Sequence, residues 1–166
     1  LALADIYTSS FFKWMLSGFG VGVLVANDRA RSRMDPAYQG YANMHDPHML
    51  QYAHVNIPAM YGLDATLDFF EGVGWPLVYQ RVHALGSHLV AGAAQRGLDL
   101  VTPAKQRAGI HVFRCADGEA VRLKLAERNI SVSTRGAGIR VSPHFYNTTA
   151  EVDQMLDALA EIAPPR

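Results

Sequence analysis

Lys13 is the residue of this chain whose surroundings most suggest chemistry. It sits in Ser9-Ser10-Phe11-Phe12-Lys13-Trp14-Met15-Leu16, an ammonium group set among large apolar neighbours directly after a strand-like stretch. A lysine kept from water gives up its proton more readily, and the free amine is a nucleophile able to condense with a carbonyl. The same pattern also suits a lysine that lays its methylenes along apolar neighbours and keeps its charge in solvent. Directly downstream, Ser17-Gly18-Phe19-Gly20-Val21-Gly22 places a glycine at every second position, which permits positive φ and close approach of backbone to a ligand. The spacing is not the dinucleotide fingerprint G-x-G-x-x-G, because Val23 stands where the third glycine belongs, and a turn into the next strand is the simpler reading. His45 and His48 are three apart, a spacing open to a shared metal, but no third ligand accompanies them and solvated loop histidines are expected. Cys115, the one cysteine, has no partner for an internal disulfide; it ends an expected strand and reads as core rather than as a nucleophile.

Charge narrows the partners. Fifteen Lys and Arg balance fifteen Asp and Glu, so no long-range field draws the chain onto nucleic acid or an anionic membrane. Apolar runs such as Val21 to Ala26 are far shorter than the roughly 20 residues that cross a bilayer. The single cysteine fits a reducing cytoplasm. Leu1 and the immediate entry into a strand suggest a piece of a longer protein, and no signal-peptide pattern opens it.

Elements must position these residues. Ile6 to Ser9 and Gly20 to Ala26 read as buried strands, because β-branched and aromatic residues cluster between turn formers. From Asn27 to about Ala53 the hydrophobic period vanishes and Pro36, Gly40 and Pro47 punctuate a long loop. Asn56 can cap a helix that accepts Pro58 in its first turn and carries Met60, Leu63, Leu67 and Phe70 on one face before Gly72 and Gly74 end it. A second helix starts near Pro76 with Val78, Val82, Leu85, Leu89 and Ala93 as its buried stripe and Gly97 as its stop. Strands follow at Leu98 to Val101 and Ile110 to Arg114, then a helix from Asp117 to Arg128, then strands at Ile130 to Ser133 and Ile139 to Ser142. The last helix has a capping box, Thr148-Thr149-Ala150-Glu151, and an apolar face of Val152, Met155, Leu156, Leu159 and Ile162. The expected class is α/β, with residues 56–166 an α+β domain of mixed or antiparallel sheet covered by helices and residues 1–55 the end of a larger domain plus a connecting loop.

Three stretches carry a resemblance. Lys13-Trp14-Met15-Leu16-Ser17-Gly18-Phe19-Gly20-Val21-Gly22 resembles the Lys-Trp-Leu-Leu-Gly-Pro-Phe-Gly-x-Gly stretch of class V aminotransferases. Asn56-Ile57-Pro58-Ala59-Met60-Tyr61-Gly62-Leu63 is similar to that family's Asn-x-Pro-Ala-x-x-Gly-Leu helix start. Arg140-Val141-Ser142-Pro143-His144-Phe145-Tyr146-Asn147-Thr148 resembles its Arg-x-Ser-Pro-His-x-Tyr-Asn-Thr signature. They occur in the family's order.

The resemblance implies a homodimeric fold-type I enzyme that uses pyridoxal 5′-phosphate, held as an internal aldimine on Lys13, and acts on an amino acid or keto acid. It implies further that Ser10 touches the cofactor phosphate, that His54, at the position of a family threonine, reaches the phosphate from the partner subunit, and that Arg140 grips the substrate's α-carboxylate, with Arg135 a weaker candidate. Transamination, epimerisation and elimination all use this apparatus. Phe12 stands where many relatives have histidine. The loop Thr134 to Arg140 lacks the reactive cysteine of the desulfurase branch, and Asp5 does not inherit the pyridine-nitrogen role, which lies further upstream in the family. The alternative is a non-catalytic remnant or interaction domain that keeps the small-domain fold.

Overall fold

A computed structural model describes residues 3–35, 38–41, 43–44, 50–51, 53–136 and 138–164. His45 and His48 lie outside the described residues. The chain forms two compact units, residues 1–72 and 73–166.

In the first unit β1 (Ile6–Ser10) pairs antiparallel with β2 (Gly22–Ala26), from Ile6 opposite Ala26 to Ser10 opposite Gly22. The strands fall where expected, but they are not buried: Ile6, Tyr7 and Leu24 are 49%, 45% and 52% exposed. A two-stranded ribbon has no second layer of its own to cover either face, so a composition suited to burial does not bring it about. The expected loop after Asn27 begins with a short helix, α1 (Asp28–Arg31), because the Asn27 side chain accepts from Ala30 N at 2.8 Å. Asp5 is structural here. It accepts from Asn27 Nδ2 at 2.8 Å and from the Arg29 guanidinium, tying the start of β1 to α1, and those bonds, Arg29 first, hold its carboxyl below the usual range.

Helix α2 (Ile57–Val73) starts where Asn56 Oδ1 accepts from Ala59 N at 3.3 Å. Of its expected stripe only Phe70 is buried. All of this helix but its last residue falls in the first compact unit. Helical period shows which residues share a face; it does not show what the face packs against.

The second unit is a helix-covered antiparallel sheet. Helix α3 (Trp75–Gln95) buries Val78, Leu85, Leu89 and Ala93 as its spacing predicts, and adds Gly86 and Gly92, where backbone approaches neighbours closely. Gly97, at φ 64, and the bond from Leu98 N to Ala93 O at 3.0 Å close it. Strands β3 (His111–Arg114), β4 (Ser133–Arg135) and β5 (Gly138–Val141) form a sheet in the order β3-β5-β4. The expected strand at Leu98 to Val101 is reduced to an edge bridge, Leu100 opposite Phe113, flanked by Val101 N to Val112 O at 2.8 Å and Arg114 N to Asp99 O at 2.9 Å.

Helix α4 (Gly118–Glu127) is capped by Asp117, and α5 (Thr149–Ile162) by a capping box in which Thr148 Oγ1 accepts from Glu151 N at 3.1 Å and the Glu151 carboxylate accepts from Thr148 N at 2.6 Å. One cluster holds the unit together: Leu85, Leu89, Phe113, Leu125, Ile139 and Leu156 are its most deeply buried members, and Cys115, Val141, Met155 and Leu159 belong to it. Burial of each such side chain contributes about 1.5–3 kcal/mol.

Candidate active site

Lys13 stands in the loop that joins β1 to β2. Phe11 N donates to Val21 O at 3.1 Å, Ser17 N to Phe11 O at 3.3 Å and Leu16 N to Lys13 O at 3.1 Å, so the loop is a closed turn in which Lys13 opens the innermost bend. Its path requires unusual backbone: Gly18 and Gly20 have φ of 78° and 90°, and Leu16, which is not a glycine, has φ of 55°. A left-handed residue with a side chain costs about 1–2 kcal/mol, and such strain gathers at functional sites. Nothing in the sequence marks Leu16, since leucine has no preference for that region.

The Lys13 side chain is exposed, which matches the second reading of its surroundings, a lysine that keeps its charge in solvent. Phe12 and Phe19 stack with centroids 5.4 Å apart, and Lys13 Nζ lies 4.9 Å from the centre of the Phe12 ring. Phe19 is itself 85% exposed. The apolar neighbours thus form a platform beside the amine and not an enclosure around it. Among the described residues the Lys13 amine makes no hydrogen bond or ion pair.

Ser10, the last residue of β1, is exposed and its hydroxyl is free among the described residues. His54 is exposed and stacks on Tyr41 at 6.4 Å. Ser17 was not singled out by sequence, yet it is buried with its hydroxyl unbonded. Lys13, Ser10 and His54 all belong to the first unit and Arg140 to the second.

Arg140 lies on β5 opposite Val112 of β3 and Ser133 of β4. Residues paired across antiparallel strands share a face, so Arg140, Val112 and Ser133 occupy one side of the sheet while His111, Phe113, Ile139 and Val141 occupy the other, with the core. The guanidinium is half-buried, and its Nε is buried without a hydrogen-bond partner. A buried donor left unpaired costs about 1–3 kcal/mol, which an anionic ligand would recover.

The rest of the Arg140 signature builds the turn into α5. His144 N donates to Asn147 Oδ1 at 2.8 Å, Asn147 N to His144 O at 3.0 Å and Arg81 Nη2 to Asn147 O at 2.8 Å. Arg135, at the end of β4, is exposed. Cys115 is core as expected: its thiol points to Phe113 O at 3.8 Å, and burial pushes its pKa up. No cluster of three or more His, Cys, Asp or Glu suited to a metal occurs among the described residues, and no helix there is long and apolar enough to cross a membrane.

The family model for aminotransferase class-V matches residues 2–155. This chain belongs to the class-V aminotransferase family. It is 28% identical to isopenicillin N epimerase of Amycolatopsis lactamdurans, over 96% of this chain and 47% of that protein. Among solved structures, the cysteine desulfurase of Thermococcus onnurineus NA1 superimposes with a TM-score of 0.84 at 21% identity, covering 96% of this chain and 47% of its own. The cystine C-S lyase C-DES gives 0.82 at 25% identity, covering 98% and 48%. A mutant form of C-DES, with glycine linked covalently to its PLP cofactor, gives 0.83 at 24% identity, covering 97% and 47%. The expected fold-type I arrangement is therefore the observed one, and the chain spans about half the length of the relatives it matches.

Proposed function

We propose that this chain is the lysine- and arginine-bearing part of a homodimeric, cytoplasmic enzyme that uses pyridoxal 5′-phosphate on an amino acid or keto acid, of aminotransferase, epimerase or lyase type. Lys13 would hold the cofactor, Ser10 and His54 would donate to its phosphate, and Arg140 would bind the substrate's α-carboxylate. The donor set fits such a group: a primary amine and a hydroxyl unengaged among the described residues, and a buried guanidinium nitrogen without an acceptor.

Bound there, pyridoxal phosphate supplies an electron sink for charge developing at the substrate's α-carbon. Lys13 removes and returns a proton at that carbon. Arg140, a planar fork matched to a carboxylate, fixes the substrate's orientation and hence which bond is broken. Desolvation of Lys13, which its own loop does not provide, comes in this scheme from polypeptide beyond this chain or from the partner subunit.

The observation that supports the proposal most is the exposed Lys13 amine, presented on a strained turn and, among the described residues, engaged only by an aromatic ring, in a chain that the class-V family covers from before Lys13 to beyond Arg140. In the full-length protein mixed with pyridoxal phosphate, a visible absorption band distinct from the free aldehyde is expected, together with a borohydride-fixed adduct on the Lys13 peptide by mass spectrometry; both are lost in Lys13→Ala. A Lys13→Ala protein that keeps band and adduct would refute the assignment. The exposed lysine and Phe12 at its side favour a second reading, a non-catalytic domain, for which the wild-type spectrum stays that of the free aldehyde.

A further inference from the structure

His111 is a buried polar side chain for which the proposed chemistry has no use. It opens β3 with no solvent exposure, and neither ring nitrogen has a hydrogen-bond partner. Its imidazole lies against the backbone of α3: a methyl built on Gly86 would stand 3.1 Å from Cε1 and 3.2 Å from Nε2. Residues 103–110 form a strap that joins the edge segment at Leu100 to β3, and Arg107 fastens this strap to α3. Its Nη2 donates to Ser87 Oγ at 2.9 Å, one residue past Gly86, and its Nη1 donates to Ala104 O within the strap. The Arg107 Nε is 3.8 Å from the same built methyl, so guanidinium and imidazole converge on one glycine.

Among the described residues no carboxylate is paired with either group, and none is among the causes that shift the ring's titration. Helix α3 contributes Gly86 and the Ser87 hydroxyl, β5 contributes Val141 opposite His111, and Arg107 is the charged group that acts on the ring. We propose that residues 103–110 are an acid-released strap: a proton on His111 sets two cations against each other in a dry site, breaks the hold of Arg107 on Ser87, and lifts the strap from α3.

Burial first, and the Arg107 charge second, push the His111 pKa down to about 4, so the ring is neutral and the strap closed at neutral pH. Opening would stop at the edge bonds, Val101 N to Val112 O at 2.8 Å and Val112 N to Thr102 Oγ1 at 2.9 Å. Val112 is also the strand partner of Arg140, so the released segment ends beside that residue. The device depends on packing within residues 73–166 alone, and a failure of the cofactor assignment would leave it standing.

Hydrogen exchange of the chain, read by mass spectrometry and corrected for the intrinsic pH dependence of amide exchange, tests it. Peptides spanning 103–111 should lose protection by about tenfold or more between neutral pH and the pH at which His111 charges, while α5 peptides stay protected. His111→Leu should keep the strap closed in acid, and Arg107→Gln should open it at neutral pH. Loss of strap protection at the same pH in wild type and His111→Leu would overturn the proposal, as would exchange of the strap and α5 in step or a closed strap in Arg107→Gln. If His111→Leu does not fold, NMR of the wild type decides: the Arg107 Nε–H resonance must move with the midpoint of the His111 imidazole, and a different midpoint overturns it.

Discussion

Alanine at Gly138 should cost more stability than alanine at an unconstrained glycine of the chain. Gly138 opens β5 opposite Arg114, and a Cβ built on it falls 1.8 Å from the Phe113 carbonyl oxygen and 3.0 Å from Arg114 Cα. To restore an ordinary carbon–oxygen separation the strands must part by roughly 1.5 Å. The obstacle is backbone, so no rotamer change relieves it. On the other side the Gly118 backbone that opens α4 packs so closely on Gly138 that no room remains there even for a Cβ, which would stand 2.7 Å from Gly138 O, and this limits any retreat of β5. The first rungs of the β3–β5 ladder must therefore break.

Two backbone hydrogen bonds at about 1 kcal/mol each, plus overpacking at about 1–3 kcal/mol, sum to about 3–5 kcal/mol. That is a large share of the roughly 5–15 kcal/mol that holds a domain together. Guanidinium unfolding followed by far-UV circular dichroism reads it as a lower midpoint at unchanged slope. Gly72 is the control: it lies in α2 with nothing within 4 Å of a built Cβ and no positive φ, so Gly72→Ala should stabilise the chain by about 0.5–1 kcal/mol. A Gly138→Ala loss below about 1 kcal/mol would refute the steric argument.

Leu16→Gly should raise thermal stability by about 0.5–1 kcal/mol, since relief of left-handed strain outweighs the loss of a part-exposed side chain; a lower Tm would mean that the leucine packs more than it strains. Thr148→Ala removes the acceptor for Glu151 N and should cost about 1 kcal/mol by chemical denaturation, while Thr148→Ser keeps most of it. His111 sets a pH dependence. Its pKa falls from 6.5 to about 4 on folding, so as pH drops the unfolded chain takes up the proton first, and stability present above the upper value is lost down to the lower one. Up to about 3 kcal/mol is involved, and denaturation midpoints against pH should show this fall in the wild type and not in His111→Leu.

Much of the second unit was legible because its signals are local. The stripe of α3 and the Thr148 to Glu151 box each lie within a few turns of one helix, and both are as expected except that Val82 is only half-buried. The strand expected from Ile130 starts only at Ser133 because α4 ends with Asn129 at φ 60 and Ile130 N bonded back to Leu125 O at 2.9 Å. Helix termination consumes residues whose composition favours a strand. The expected strand at Leu98 to Val101 is a single bridge at the edge of the sheet, beside β3. In the candidate site, residue types and order marked Lys13 and Arg140, while the left-handed Leu16 and the buried Ser17 carry no local signal at all; nor does the buried His111 outside it.

Caps, helix stops, strand alternation and the ordered family motifs are properties of neighbouring residues, and the amino-acid order alone determined them. Which faces meet solvent was decided by tertiary structure. Apolar residues beside Lys13 did not enclose it, because Phe12 and Phe19 stack on each other and not around the amine. Arg140 stands away from the core, beside Val112 and Ser133, because β5 is paired between β3 and β4. Burial requires surfaces contributed by residues distant in the chain, and a local pattern records that a side chain can be buried without recording what arrives to cover it.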